Sequence, residues 1–285
     1  MPAGSHGFQV GSIRCSVLSD GYFSYPTPWF FPNADQDRLS RALASRGQPL
    51  GRVLSPYTCL LIEIGRHVVL VDTGGGTASA TSGSIVARLH MAGIRPRDVE
   101  TVVLTHAHPD HIGGAVNSSG RPTFPNARHV LAELEWEFWM AGRGDLRGLR
   151  LPDDLKDSMG ATARRCLGAL KFQIETIDRE TEIAPGVRAI PAPGHTPGHL
   201  AILLSSEGQH LINVGDAAVH PLHLEEPDWE NGFDLAAAAA VATRRTLVER
   251  AVSERMRLMA FHFPFPSVGR VAARAEGGWT WSPGW

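Results

Sequence analysis

Along the chain the hydrophobic positions switch between alternation and helical spacing, the pattern of mixed α and β structure. Residues 8–18 alternate imperfectly and predict an outer strand. Tyr57–Ile64 and His67–Val71 are apolar runs on either side of Gly65-Arg66, which reads as a hairpin. Leu39 and Leu43, four apart and followed by Gly47, predict a helix over 35–47. Ile85 and Leu89 predict another over 84–92, closed by Gly93. Strands are expected over 99–104 and 127–131, then a Glu-rich helix whose Trp136, Phe138, Trp139 and Met140 are spaced for core packing. Residues 143–157 read as a loop and 158–170 as a helix. Strands near 172–177, 187–191, 200–204, 210–214 and 257–261 follow, with an alanine-rich helix capped by Asp234 between the last two.

One stretch resists both periods. Asp20-Gly21 signals a turn, and three prolines between Tyr22 and Pro32 argue against any regular element, so an aromatic loop is expected over about 20–34. Its Tyr25, Trp29, Phe30 and Phe31 must cover something apolar. That is either the chain's own core, a pocket wall or a subunit contact.

Composition removes several function classes. The 43% hydrophobic content of the 285 residues supports a substantial core. A formal net charge of -2 offers no electrostatic case for nucleic acid. No apolar run reaches the roughly 18 residues of a membrane helix, and the N-terminus lacks an apolar signal core, so a cytoplasmic location is expected. Cys15, Cys59 and Cys166 show no motif spacing, fit a reducing compartment, and read as small core residues.

The chemistry is concentrated in Leu104-Thr-His-Ala-His-Pro-Asp-His-Ile-Gly-Gly114, with His106, His108, Asp110 and His111 within six residues behind an apolar strand. Neutral imidazoles and carboxylates are the ligands of zinc-like ions, and a loop can turn neighbouring donors onto one ion. His195, in Pro193-Gly-His-Thr-Pro-Gly-His199, follows a strand-like segment, as do Asp216 and His262, so one fold could bring all of them to one edge.

His-x-His-x-Asp-His at 106–111, followed in order by His195, Asp216 and His262, resembles the signature of the metallo-β-lactamase superfamily. The resemblance implies a four-layer αβ/βα sandwich formed by residues 1–285 as a single domain, with about 132–170 as an insertion, since the candidate ligands straddle it. It implies two divalent ions, zinc as the first choice, with manganese, iron or cobalt as alternatives. His106, His108 and His195 would hold one ion and Asp110, His111 and His262 the other, with Asp216 bridging. A hydroxide shared by the ions would be the nucleophile, Asp110 would pass a proton to the leaving group, and Asp72 and His199 would support the ligands.

Gly215-Asp216-Ala-Ala-Val219-His220, Trp229, Phe233-Asp234 and His262-Phe-Pro-Phe-Pro266 resemble the branch of N-acyl-homoserine lactonases and methyl parathion hydrolases. In the compact homoserine lactonases a tyrosine three residues after the bridging aspartate contacts the substrate; here that position is Val219, leaving Tyr25, Tyr57 or the metals alone for the task. Tyr25, Trp29, Phe30, Val219, His220, Phe263 and Phe265 are the expected pocket residues. Phe263 and Phe265 would face Trp29 and Phe30 across a narrow apolar slot. The implied activity is opening of a lactone, with organophosphate triesters, other esters, thioesters or β-lactams as alternative substrates. A metal-binding scaffold is the non-enzymatic alternative, and a homodimer with a small-molecule substrate is expected.

Overall fold

Residues 59–62 show what organises the molecule. Cys59 and Leu61 face one way and Leu60 and Ile62 the other, and all four are fully buried, so this segment lies between two apolar layers. The structure, a computed structural model, describes residues 4–77, 79–142 and 144–284. Of the N-terminal stretch read for an export signal, residues 1–3 lie outside them.

The first half forms β1 (Ser5–Val10), β2 (Ile13–Pro26), β3 (Arg52–Ile64), β4 (His67–Val71), β5 (Thr101–Val103), β6 (Arg128–Ala132) and β7 (Ile174–Ile177), paired in chain order in one sheet. The second half forms β8 (Thr181–Ala184), β9 (Val187–Pro191), β10 (Leu200–Ser206), β11 (Gln209–Asn213), β12 (Arg257–Met259), β13 (Val268–Ala273) and β14 (Trp279–Pro283), again paired in chain order. Each sheet is mixed: β4 to β7 run parallel, as do β11 and β12, and the remaining neighbours are antiparallel. The helices are α1 (Thr27–Phe30), α2 (Gln36–Ala44), α3 (Ile85–Met91), α4 (Pro109–Ile112), α5 (Glu133–Trp136), α6 (Asp153–Leu170), α7 (Leu222–Glu225) and α8 (Ala237–Ser253).

Alternation along the strands assigns the layers. Leu60, Ile62, Val69, Val71, Val103 and Val130 of the first sheet meet Val187, Ile202, Leu204 and Met259 of the second. Leu61, Leu70, Val102 and Leu131 turn outward onto Ile85 and Leu89 of α3 and Ala163, Leu167 and Leu170 of α6. Leu203, Ile212 and Leu258 turn outward onto Leu247, Val248 and Ala251 of α8. The result is the expected four-layer α/β/β/α sandwich. Each fully buried aliphatic side chain contributes roughly 1.5–3 kcal/mol to holding it. No helix among the described residues is long and apolar enough to cross a membrane.

Three expectations change. The aromatic stretch is not a loop: β2 runs through Asp20-Gly21 to Pro26 with a bulge between Ser19 and Gly21, and α1 follows at once. Gly21, at φ 147°, is needed because a Cβ there would sit 1.7 Å from the Thr81 carbonyl oxygen. Asp20 does not turn the chain; its buried carboxylate accepts the N–H groups of Gly75, Gly83 and Ile85, which seats the start of α3. Helix α6 begins at Asp153, inside the expected loop, because Pro152 stands at its N-cap and Asp153 and Asp154 occupy the first turn, where acidic groups favour a helix. Helix α8 begins without Asp234, whose side chain is engaged elsewhere.

Candidate metal centre

Strands β4, β5, β9, β11 and β12 finish just before Asp72, His106, His195, Asp216 and His262, and these residues gather at one edge of the sandwich. The Asp72 loop and the loop after β5 are packed backbone to backbone. A Cβ on Gly113 would lie 2.3 Å from the Gly75 carbonyl oxygen, and one on Gly114 2.1 Å from that of Thr73. Gly113 has an ordinary helical φ of -59°, so the sequence needs glycine there for close approach and not for a turn.

All seven expected ligand residues come together. The ligand atoms of His106, His108 and His195 lie within 4.8 Å of one another, as do those of His106, His111 and Asp216, and those of Asp110, His111 and His262. Asp216 stands between the sets. Its Oδ2 lies 3.2 Å from His262 Nε2 and 3.4 Å from His195 Nε2, and its Oδ1 lies 3.3 Å from His111 Nε2. Asp110 Oδ2 is 3.3 Å from His262 Nε2. Burial and the surrounding imidazoles hold His106 and His108 well below the usual histidine range, so both are neutral. Burial opposes ionisation of Asp216, but His262 and His111 outweigh it and hold the carboxyl well below the usual range. Neutral imidazole and ionised carboxylate are the forms that ligate metals.

Each donor is oriented from behind. His111 Nδ1 is 2.9 Å from Asp72 Oδ2, and the Thr105 hydroxyl and N–H both bond the same carboxylate. Asp72 does this from the left-handed backbone region, φ 60°, a strained conformation for a non-glycine residue. His195 Nδ1 is 2.8 Å from Asp234 Oδ1, and His262 Nδ1 is 2.7 Å from Ser55 Oγ. His199 sits behind the donors: Nδ1 donates to the Ala192 carbonyl, which leaves Nε2 to accept the Asp216 N–H at 3.0 Å. Such partners fix the tautomer and direction of a ligating ring.

Five of the donor residues, His108, Asp110, His195, Asp216 and His262, line a cavity of about 640 Å³. Tyr25, Trp29, Phe30 and Val219 line it as expected, joined by Phe233 and by Leu155, Met159 and Thr162 of α6. The hydroxyls of Tyr25 and Tyr57 meet at 2.6 Å on its wall. Three expected wall residues are elsewhere. Phe263 is fully buried behind the second sheet, edge-on to Trp281. Phe265 packs against the core between the sheets. His220 is buried with Nε2 on Gln48 and Nδ1 accepting the Leu222 N–H. The loop after β12 turns back towards β13, taking both phenylalanines with it, so the narrow slot they were to form does not exist. Phe31 likewise packs into the chain's own core with Leu39, Leu43 and Trp229.

The sequence profile described as the metallo-beta-lactamase superfamily matches residues 52–260. The chain belongs to that superfamily. Relatives within it include an N-acyl homoserine lactonase of Bacillus cereus, 24% identical over a 248-residue alignment that covers 79% of this chain and 89% of the relative. Among solved structures, AidC, described as a dizinc quorum-quenching lactonase in complex with a product, superposes with TM-score 0.92 at 25% identity over 99% of this chain and 98% of its own. AbOPH, a hydrolase in the beta lactamase superfamily, does so with TM-score 0.89 at 25% identity over 100% and 99%. Superfamily, relatives and His/Asp cluster together make the chain a metallo-hydrolase of the lactonase branch.

The superfamily implies metal ions, and the residues fit them. His106 Nε2, His111 Nε2 and Asp216 Oδ1 are buried with no well-formed hydrogen bond, and His108 turns Nδ1 to within 2.9 Å of His195 Nε2. A buried polar atom left so costs about 1–3 kcal/mol, and a cation between the donor sets is what this arrangement of neutral rings and ionised acids accepts. Two supporting residues escape a reading of the sequence. Asp234 reads as a helix cap, and Glu135 reads as one acid among several in a Glu-rich helix, although it is fully buried. The only sequence signal for either is an acid standing beside large apolar residues, in Asn231-Gly-Phe-Asp234 and Glu135-Trp136.

Proposed function

We propose that this chain is a dinuclear zinc lactonase that opens N-acyl-homoserine-lactone-type esters. The observation that carries the reading is the convergence of seven metal-type donors, five of them lining an aromatic-walled cavity. A set of imidazoles and two carboxylates suits zinc, and AidC is described as dizinc. His106, His108 and His195 would hold one ion, and Asp110, His111 and His262 the other, with Asp216 shared. When bound, such ions supply Lewis acidity towards a carbonyl and lower the pKa of a coordinated water towards neutrality.

The chain's own groups do the rest. Tyr25 and Tyr57 share one hydroxyl hydrogen between them, leaving a second phenolic hydrogen free to donate to the carbonyl oxygen of a substrate in the cavity. They offer this where Val219 cannot. Asp110, 15% exposed at the side chain and facing the cavity, holds at a carboxylate oxygen the proton released in the attack and returns it to the departing ring oxygen. Phe30, Trp29, Phe233, Leu155 and Met159 exclude water and receive the acyl chain, each buried methylene contributing about 0.8 kcal/mol.

A second reading has its own observation. With Phe263 and Phe265 outside it, a cavity of about 640 Å³ has room for the three substituents of an organophosphate triester. Parallel kinetics on homoserine lactones of graded chain length, aryl esters, paraoxon, methyl parathion and a chromogenic cephalosporin decide between them. The lactones should show the highest kcat/KM, rising with acyl length. Faster turnover of the triesters would move the chain to the second reading, and activity on the cephalosporin alone would overturn the first. The three cysteines are free and buried, which supports a reducing, cytoplasmic setting. Exposed Tyr22, Phe23, Leu50 and Leu54, on or beside the ribbon formed by β2 and β3, offer one apolar surface for a homodimer.

A further inference from the structure

The loop carrying His106 and His108 leaves the first sheet, and the loop carrying His195 and His199 joins strands of the second. For three imidazoles of these loops to share one ion, the two sheets must hold a fixed separation at this edge. Glu135, at the start of the helix following β6, is placed to set it. Its side chain is fully buried and touches no ligand ring among the described hydrogen bonds, yet both loops end on it. Oε1 accepts the Ala107 N–H at 2.9 Å, between His106 and His108, and the Trp139 Nε1–H at 2.7 Å. Oε2 accepts the Thr196 hydroxyl at 2.6 Å, next to His195, and the Gly198 N–H at 3.1 Å, next to His199. The Trp139 ring held in this way stands edge-on to His108, 6.0 Å between centroids, where a π-helical turn over Glu137–Ala141 delivers it.

Chemistry restricts what can stand at 135. Three of the four partners are N–H groups that can only donate, so the position needs an acceptor on both branches, which a carboxylate has and an amide lacks. There is no slack to absorb a mismatch: a Cβ on Gly198 would lie 2.2 Å from the Glu135 nitrogen.

We infer that Glu135 is a positioning residue, whose carboxylate clamps the two ligand loops together and thereby sets the affinity of the subsite formed by His106, His108 and His195. The inference rests on the metal reading above. Glu135→Gln is nearly isosteric, but whichever way its amide turns, the nitrogen meets an N–H donor. The experiment titrates apo protein with Zn²⁺ against a chromogenic chelator, and separately with Co²⁺ followed by its visible absorption. One of the two equivalents should bind about 10–100-fold more weakly, its cobalt bands should shift, and the other equivalent should be unchanged. Thr196→Val removes one of the four bonds and should weaken the same equivalent several-fold; it carries the test should Glu135→Gln fail to fold. Two unchanged equivalents in the folded variants would overturn the inference, and so would equal weakening of both, which marks a general structural defect. A wild-type chain that takes up no metal would sink the metal reading first and this inference with it. A metal-loaded wild type inactive on lactones would overturn only the proposed substrate.

Discussion

Replacing Asp234 with asparagine tests whether the residues behind the donors matter as much as the donors. The carboxylate is 2.8 Å from His195 Nδ1 and 3.9 Å from the guanidinium of Arg244, and both side chains are 1% exposed. Arg244 is itself bonded to the Ala217, Pro227 and Trp229 carbonyls, so the acid and the arginine form a fixed support. A hydrogen bond to a charged group contributes about 1.5–3 kcal/mol, and a neutral one about 1 kcal/mol. The asparagine could keep one neutral bond to the ring but would present its amide nitrogen to a neighbouring donor. The net loss is therefore about 1–2 kcal/mol in the orientation of His195, or roughly 5–30-fold in metal affinity. Chelator competition measures it directly, with kcat/KM on whichever ester the enzyme turns over as a second readout. Wild-type metal affinity and activity in a folded Asp234→Asn protein would refute the claim that this carboxylate orients His195.

Elemental analysis after mild dialysis should find about two divalent ions per chain, and chelation should abolish activity reversibly; full activity with one ion or none would end the dinuclear mechanism. Asp216→Asn should lose activity by orders of magnitude together with metal, since its two oxygens face both donor sets, and unchanged rate and occupancy would remove it as the bridge. Phe31, 1% exposed against Trp229 and His223, is a core residue: Phe31→Ala should cost about 3–5 kcal/mol in chemical denaturation without changing the oligomeric state seen by light scattering. His129 is fully buried and pushed down to about 4 by desolvation, partly offset by the Ala127 backbone. A base with a depressed folded pKa is stabilising above its unfolded value of about 6.5, so on the order of 3 kcal/mol should be lost as pH falls from there through 4. His129→Leu should flatten that part of the stability curve, and an unaltered slope would show that another group governs it.

How much of this could be read in advance depended on how local each signal was. The donors at 106–111 are contiguous, and His195, Asp216 and His262 each follow an apolar run, so strand ends marked them before any contact was known. Asp72 was legible only through the family resemblance, as the aspartate before Thr73-Gly74. Asp234 was not: its partner His195 lies 39 residues away in sequence, and locally an acid before a run of alanines is a helix cap. Glu135 was hidden in the same way, since its four partners sit at 107, 139, 196 and 198. The pocket wall failed at Phe263 and Phe265 because nearness to His262 in sequence says nothing of direction once the chain doubles back towards β13. Leu155 of α6 was missed because Pro152-Asp-Asp154 reads equally as a loop or as the first turn of a helix, and Met159 and Thr162, inside the expected helix, because nothing local says which face of it meets the cavity.

The two missed acids share an electrostatic logic with the three that were legible. Asp110 and Asp216 stand among the donors, Asp72 and Asp234 behind His111 and His195, and Glu135 behind the loops, while Arg244 is the one cation bonded into this group among the described residues. Ionised, these five acids and one arginine carry a net charge of four negatives, nearly all of it out of water, where an uncompensated charge costs several kcal/mol. His106 and His108, held neutral, cannot offset it, and His111 and His195, which despite burial the acids beside them push up, offset it only by giving up the neutral form a metal needs. Two divalent cations would. On that account the supporting acids have two inseparable tasks, holding rings and loops in place and supplying the negative charge that draws the ions in. Removing any one of them should therefore weaken metal binding more at low ionic strength than at high, whereas a purely steric role predicts no dependence on salt.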